Sequence, residues 1–206
     1  MSISNQDKPS LRFLRIVTLK PRQLEAIMLR AQMPDADALT GWEYRGINFG
    51  AGDRILGIRK FIKGFHRSTD GQIFGYNVRA RQNSPDEAWL AKLTGVERKR
   101  FGFYRVLPTN PESRDNAYLN ALLLDYGQGG NGRFDITAAL RDYLVRIGPG
   151  SDDLLLGKAF IAEGPLRLPK GYFLLERQCK SVVSKHASDC VPPKQPDRHV
   201  REGSNG

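Results

Sequence analysis

Between Gly41 and Gln178 the chain breaks into nine short apolar segments, each ended by Gly, Pro, Asn or Asp. Short segments punctuated in this way predict β-strands joined by turns rather than long helices. The clearest is Ile73 to Arg81, where Phe74, Tyr76, Val78 and Ala80 alternate with Gly75, Asn77, Arg79 and Arg81. Ser68-Thr-Asp-Gly71 is turn chemistry, and it joins that strand to Ile55 to His66, in which Gly57 and Gly64 mark bends or bulges. Further strands are expected at Gly41 to Phe49, Trp89 to Leu93, Arg100 to Leu107, Asn120 to Tyr126, Leu154 to Ala162 and Gly171 to Gln178. Asp142 to Ile147 fits a helix or a strand, and the Gly148-Pro-Gly turn after it favours a strand. Ahead of these, Pro21 suits the first turn of a helix, and Leu24, Ile27, Met28 and Ala31 follow at helical spacing up to Pro34. Leu11 to Leu19 reads as a strand or a lead-in.

The pattern predicts an all-β protein with one N-terminal helix over 21–33, built as an antiparallel, closed or strongly curled β-barrel of about eight or nine strands. One barrel domain is expected over 11–178, with a disordered N-terminus over 1–10 and a disordered tail over 179–206. An apolar fraction of 40% against 26% charged residues is that of a soluble globular domain with a sizeable core. No window approaches a membrane-spanning run, and Met1 to Ser10 lacks the apolar stretch of a secretory signal, so a cytoplasmic location is expected. Cys179 and Cys190 fall beyond the last expected strand and read as two incidental thiols.

The net charge of +10 raises nucleic acid or an anionic surface as partners. The basic residues gather at Arg54 to Arg67, at Arg79 and Arg81, and at Arg98 to Arg105. Phe61, Phe65, Phe74, Phe101 and Phe103 interleave with them, and Arg100-Phe-Gly-Phe-Tyr meets part of an RNA-binding signature. In a closed sheet, however, the same rings are core.

Gly127-Gln-Gly129-Gly-Asn-Gly132 satisfies G-x-G-x-x-G after an apolar strand, which raises a nucleotide-binding enzyme as a second alternative. Glu163 lies too far downstream for the ribose-binding acid, and the segments before the motif lack the strand–helix rhythm of a dinucleotide fold. Histidine chemistry is thin: His186 and His199 sit in the tail, and His66 stands alone in the body. No catalytic constellation, cofactor motif or metal-ligand spacing stands out, and the reading leans away from an enzyme.

Leu39-Thr-Gly41-Trp42-Glu-Tyr-Arg-Gly46 resembles the opening strand of calycin-type barrels, the lipocalins and fatty-acid-binding proteins. It is also similar to the opening of small bacterial GXWXG-type proteins, with Lys60-Phe61 and Lys63-Gly-Phe65 in the place of their Lys-Phe pair. Gly41 and Trp42 are adjacent rather than separated by one residue, which departs from that pattern. The resemblance implies a barrel plugged at one end by Trp42, with a small apolar or amphipathic molecule inside and no catalysis. Trp42, Tyr44, Phe74, Tyr76, Phe101 and Phe103 are then expected to line the interior, with Arg45 or Arg105 meeting an acid group on the ligand. A filled barrel would use the same side chains as core.

Overall fold

The computed structural model describes residues 8–49, 57–95, 97–132 and 134–181. Eight antiparallel strands close into a barrel: β1 (Trp42–Phe49), β2 (Lys60–Arg67), β3 (Ile73–Arg79), β6 (Arg100–Pro108), β7 (Leu122–Asp125), β8 (Leu140–Arg146), β9 (Leu154–Glu163) and β10 (Leu166–Lys180). Their order around the wall is β1-β10-β9-β8-β7-β6-β3-β2, so the last strand pairs with the first and seals the sheet. Closure leaves no exposed strand edge in the wall. β4 (Leu93–Thr94) and β5 (Glu97–Arg98) form a separate two-stranded ribbon. The expected strand at Trp89 to Leu93 is otherwise irregular, with Trp89 packed outside the barrel and its indole N–H donating to the Gly46 carbonyl at 3.0 Å. Asp142 to Ile147 is resolved in favour of a strand.

Three short helices precede the barrel where one was expected. α1 (Leu11–Val17) occupies the segment expected as a strand or lead-in. The Ser10 hydroxyl caps it by accepting the Phe13 N–H at 3.1 Å. α2 (Pro21–Arg30) starts at the proline and buries Leu24 and Met28, and the Asn120 side chain donates to its last carbonyls, Met28 at 2.9 Å and Ala31 at 2.7 Å. α3 (Ala36–Leu39) is a single turn capped by Asp35.

Two apolar cores result. One fills the barrel and includes Tyr44, Phe61, Phe65, Tyr104, Leu124, Leu144 and Phe173. The other lies on its outer wall, where Phe13, Ile16, Leu24, Met28 and Trp89 cover Ile47, Ile62, Tyr76, Tyr143, Leu156 and Leu174. Strands buried on both faces lose their period-2 alternation, hence Leu122-Leu-Leu and Leu154-Leu-Leu. Inside, aromatic rings lie flat over cross-strand glycines. A Cβ placed on Gly75 would stand 2.3 Å from the Tyr104 ring, and one on Gly157 would stand 2.0 Å from that of Phe173. These rings reach the axis only because the opposing position has no side chain.

β10 runs through Cys179, which is buried and disulfide-bonded. Its reading as an incidental tail thiol is therefore corrected, while Cys190 and the rest of the expected tail from Val182 onward lie outside the described residues. So do Met1 to Asp7, most of the expected disordered N-terminus. No helix is long and apolar enough to cross a membrane.

Outside the wall, α2 is clamped by one polar cluster. Glu25 accepts from Lys158 at 2.7 Å, Tyr118 at 2.6 Å and Tyr172 at 2.5 Å. Burial pushes the Glu25 pKa up, but these three hydrogen bonds outweigh it and hold the carboxyl below its usual range. A depressed carboxyl stabilises the fold above its ordinary pKa and loses that contribution as pH falls through the lowered value. Glu25→Gln is expected to remove roughly 0.5–1 kcal/mol, the discounted worth of a half-exposed cluster. It should also flatten the acid limb of the stability–pH curve, with α2 amides exchanging faster. An unchanged curve and unchanged exchange would show that the clamp carries no load.

Candidate functional site

The two ends of the barrel differ. At the α3 end, Leu39 plugs the interior and Arg177 donates to the Tyr44 hydroxyl at 3.2 Å and the Ala38 carbonyl at 3.4 Å. Trp42 stands on this rim, half-buried, with the Lys180 ammonium 3.9 Å and the Arg177 guanidinium 4.6 Å from its ring centroid. At the opposite end the filling stops short. A chamber of about 50 Å³ remains there, lined by apolar Ile58, Phe61, Phe101, Leu140 and Phe173 and by polar Asn48, Lys63, Asn77, Tyr126, Thr137 and Asp142. Ile58, Phe101 and Thr137 also line a second, outer recess, a vestibule of about 500 Å³ walled further by Arg79, Lys92, Thr94, Lys99, Asp135 and Ile136.

Lys63 on β2, Asp142 on β8 and Tyr126, the first residue of the 3-10 turn after β7, converge at the chamber floor. Lys63 Nζ donates to the Tyr126 hydroxyl at 2.7 Å and lies 3.4 Å from Asp142 Oδ2, and the Tyr126 hydroxyl donates to the same Oδ2 at 2.9 Å. The ammonium also lies 4.3 Å from the Tyr104 ring centroid and 5.4 Å from that of Phe173, both electron-rich faces. Among the described residues this uses two of the three lysine N–H donors, leaving one for the chamber. Asn77 donates to the Gly102 carbonyl at 2.8 Å and to the Tyr126 hydroxyl at 3.3 Å, which fixes the phenol.

Burial moves both charged groups toward neutrality. It lowers the Lys63 pKa to about 8 against the opposing pull of Asp142. It raises that of Asp142 despite Lys63 and Tyr126. Desolvation therefore outweighs mutual attraction in each partner, the usual balance for a buried ion pair. A buried pair with shifted pKa values at the floor of a recess makes these side chains the candidate site.

The backbone shapes the entrance. Gly102 adopts φ +53°, a left-handed conformation that kinks β6. Phe101 thereby turns into the chamber wall while Phe103 stands outside, 36% exposed. Asp135 accepts from the Thr137 amide at 2.9 Å and its hydroxyl at 2.7 Å, holding Thr137 at the junction of chamber and vestibule.

Of the side chains expected to line the interior, Tyr44 and Phe101 do, Tyr44 at the closed end and Phe101 at the entrance. Phe74 and Tyr76 face outward. Tyr76 donates to Glu43 at 2.9 Å and covers Gly64, and the Phe74 ring stacks with that of His66. Arg45 and Arg105 are also outside, Arg45 beside Glu176 at 3.4 Å and Arg105 donating to Gln128 at 2.9 Å. The alternation was read on the wrong face because both faces of this wall are buried. Phe61 and Phe65 are interior core, so they form no stacking platform for nucleic-acid bases.

The Gly127 to Gly132 loop is not the turn of a dinucleotide fold. Its sheet is antiparallel, and the only helical turn described after it is the one-turn 3-10 segment Ile136–Ala139. Gly129 serves close packing instead: a Cβ there would fall 1.9 Å from the Phe103 carbonyl oxygen. No protein-family model, curated protein or solved structure matches the chain.

Lys63→Met alone strands a buried carboxylate and is expected to cost about 3 kcal/mol in denaturant unfolding. Adding Asp142→Leu should restore wild-type stability or exceed it. A double variant as unstable as the single would mean that the pair holds the barrel together.

Proposed function

We propose that the protein is a non-enzymatic binding barrel for a small amphipathic molecule, taken up by its polar end at the mouth rather than swallowed whole. The reading is supported above all by Lys63, a buried lysine with one donor unspent at the floor of the only polar recess in a ring-filled interior, among the described residues. The chamber volume of about 50 Å³ suits a carboxylate or carbonyl group, since one water occupies about 30 Å³ of liquid. Drug-sized ligands need about 300 Å³ or more, which the vestibule supplies with Phe101, Ile58 and Ile136 as apolar wall and Arg79, Lys92 and Lys99 as cations. This differs from a lipocalin cup, where the ligand occupies the barrel centre. The disulfide at Cys179 favours an oxidising compartment over the cytoplasm.

Native mass spectrometry for a co-purifying small molecule, followed by calorimetric titration with medium-chain carboxylates, tests this. Lys63→Met with Asp142→Leu should weaken a carboxylate ligand at least about tenfold, the range for a lost charge-assisted hydrogen bond, while Arg105→Gln leaves it unchanged. With a Lys63 pKa of about 8, the ammonium is lost above that pH, so affinity for an acid headgroup should fall there. Equal binding by the chamber double variant, or affinity indifferent to pH between 7 and about 10, would refute the site.

A further inference from the structure

Large apolar side chains stand exposed at and beside the same mouth. Phe134 is 93% exposed and Ile136 70% exposed, and Leu93, at the open end of the β4–β5 ribbon opposite Arg98, is 42% exposed. Ile136 itself walls the vestibule, and Leu93 lies between Lys92 and Thr94, which also wall it. The cations Arg79, Lys92 and Lys99 share that wall, and the one carboxylate on it among the described residues, Asp135, is turned onto Thr137. Scattered exposed apolar residues are ordinary. Bulky apolar tips interspersed with lysine and arginine around one opening are instead the composition that seats a protein on a bilayer interface, where rings enter the acyl boundary and cations meet anionic headgroups.

We infer that this rim is a docking surface for an anionic phospholipid membrane, which presents the mouth to the bilayer. Charge complementarity selects that occupant: the chain carries +10 overall, and three of its cations stand on this rim beside the apolar tips. An amphipathic molecule leaving the lipid phase would then meet the vestibule directly. The surface rests on the vestibule proposed above and shares its wall, but none of its residues hydrogen-bonds Lys63, Tyr126 or Asp142.

The test is vesicle flotation of the full chain at near-physiological salt, comparing pure phosphatidylcholine with phosphatidylcholine carrying about a third phosphatidylglycerol. Binding is expected to the anionic vesicles only. Phe134→Ser with Ile136→Ser keeps every charge and removes two exposed side chains, so the fold should be untouched and binding should fall about tenfold or more. Lys92→Gln with Lys99→Gln should weaken it comparably, and the Lys63→Met/Asp142→Leu variant should bind vesicles like the wild type. No binding to anionic vesicles, equal binding to neutral ones, or binding undiminished in the serine variant would each overturn the inference. The last result would leave only diffuse charge attraction. Read on the wild-type chain, carboxylate binding without vesicle binding refutes this surface alone, and vesicle binding without carboxylate binding refutes the chamber alone.

Discussion

An eight-stranded closed sheet can be filled by the side chains of its own wall or left open around one small ligand, and the character of this molecule follows from where the filling stops. Across most of the interior, rings from one strand lie over glycines of the next, as Tyr104 does over Gly75 and Phe173 over Gly157. Such pairs pack the axis without a central cup. Only toward the β6 kink at Gly102 does the packing give way to polar side chains, and that is where Lys63, Tyr126 and Asp142 meet. The ring-over-glycine packing that fills the middle of this barrel therefore leaves the recess at one mouth.

The outer wall imposes a second condition. A barrel with apolar residues on both faces cannot stand alone in water, so α1, α2 and the Trp89 segment are part of the fold rather than appendages. Polar clamps fix the cover in register: Glu25 with Lys158, Tyr118 and Tyr172 for α2, and Asn120 at its end. Lys60 does the same for the Trp89 segment, with its ammonium donating to Asn83 Oδ1 at 2.6 Å and the Ser84 carbonyl at 2.9 Å and standing 3.7 Å from the Trp89 ring centroid. Lys60 and Lys63 are both buried lysines on one strand, yet on opposite faces. The outer one is bound up in oxygens of a single loop, whereas the inner one retains a donor toward a cavity.

Strand positions were legible because turn residues punctuate them, and closure followed from their number and length. Which face each strand turns inward was not. Tyr76 and Phe74 alternate cleanly, but alternation says only that two faces differ, and here the outer face is covered too. Local breaks in register, between Glu43 and Tyr44 and at Gly102, shift the faces further. α1 hid in an apolar stretch, although Ser10 three residues before Phe13 was a capping signal that would have revealed it. Lys63, Tyr126 and Asp142 were missed because they lie up to 79 positions apart. One clue was present: Lys63 sits between Phe61 and Phe65 at the spacing of an inward face, and a lysine in that position must find partners or a function.

The two cationic features at the mouth do different physical work. Lys63 is desolvated, so a single hydrogen bond from it to an acid is strong and specific, and burial makes its charge easier to lose than that of a lysine in water. Arg79, Lys92 and Lys99 stand in water, where each attraction is weak, additive and screened by salt. Weak, additive forces suit a broad surface such as a bilayer; a strong, directional one suits a single headgroup. A ligand passing from rim to floor would exchange many screened contacts for one unscreened contact. That gradient gives the mouth a direction even though nothing in the barrel has to move.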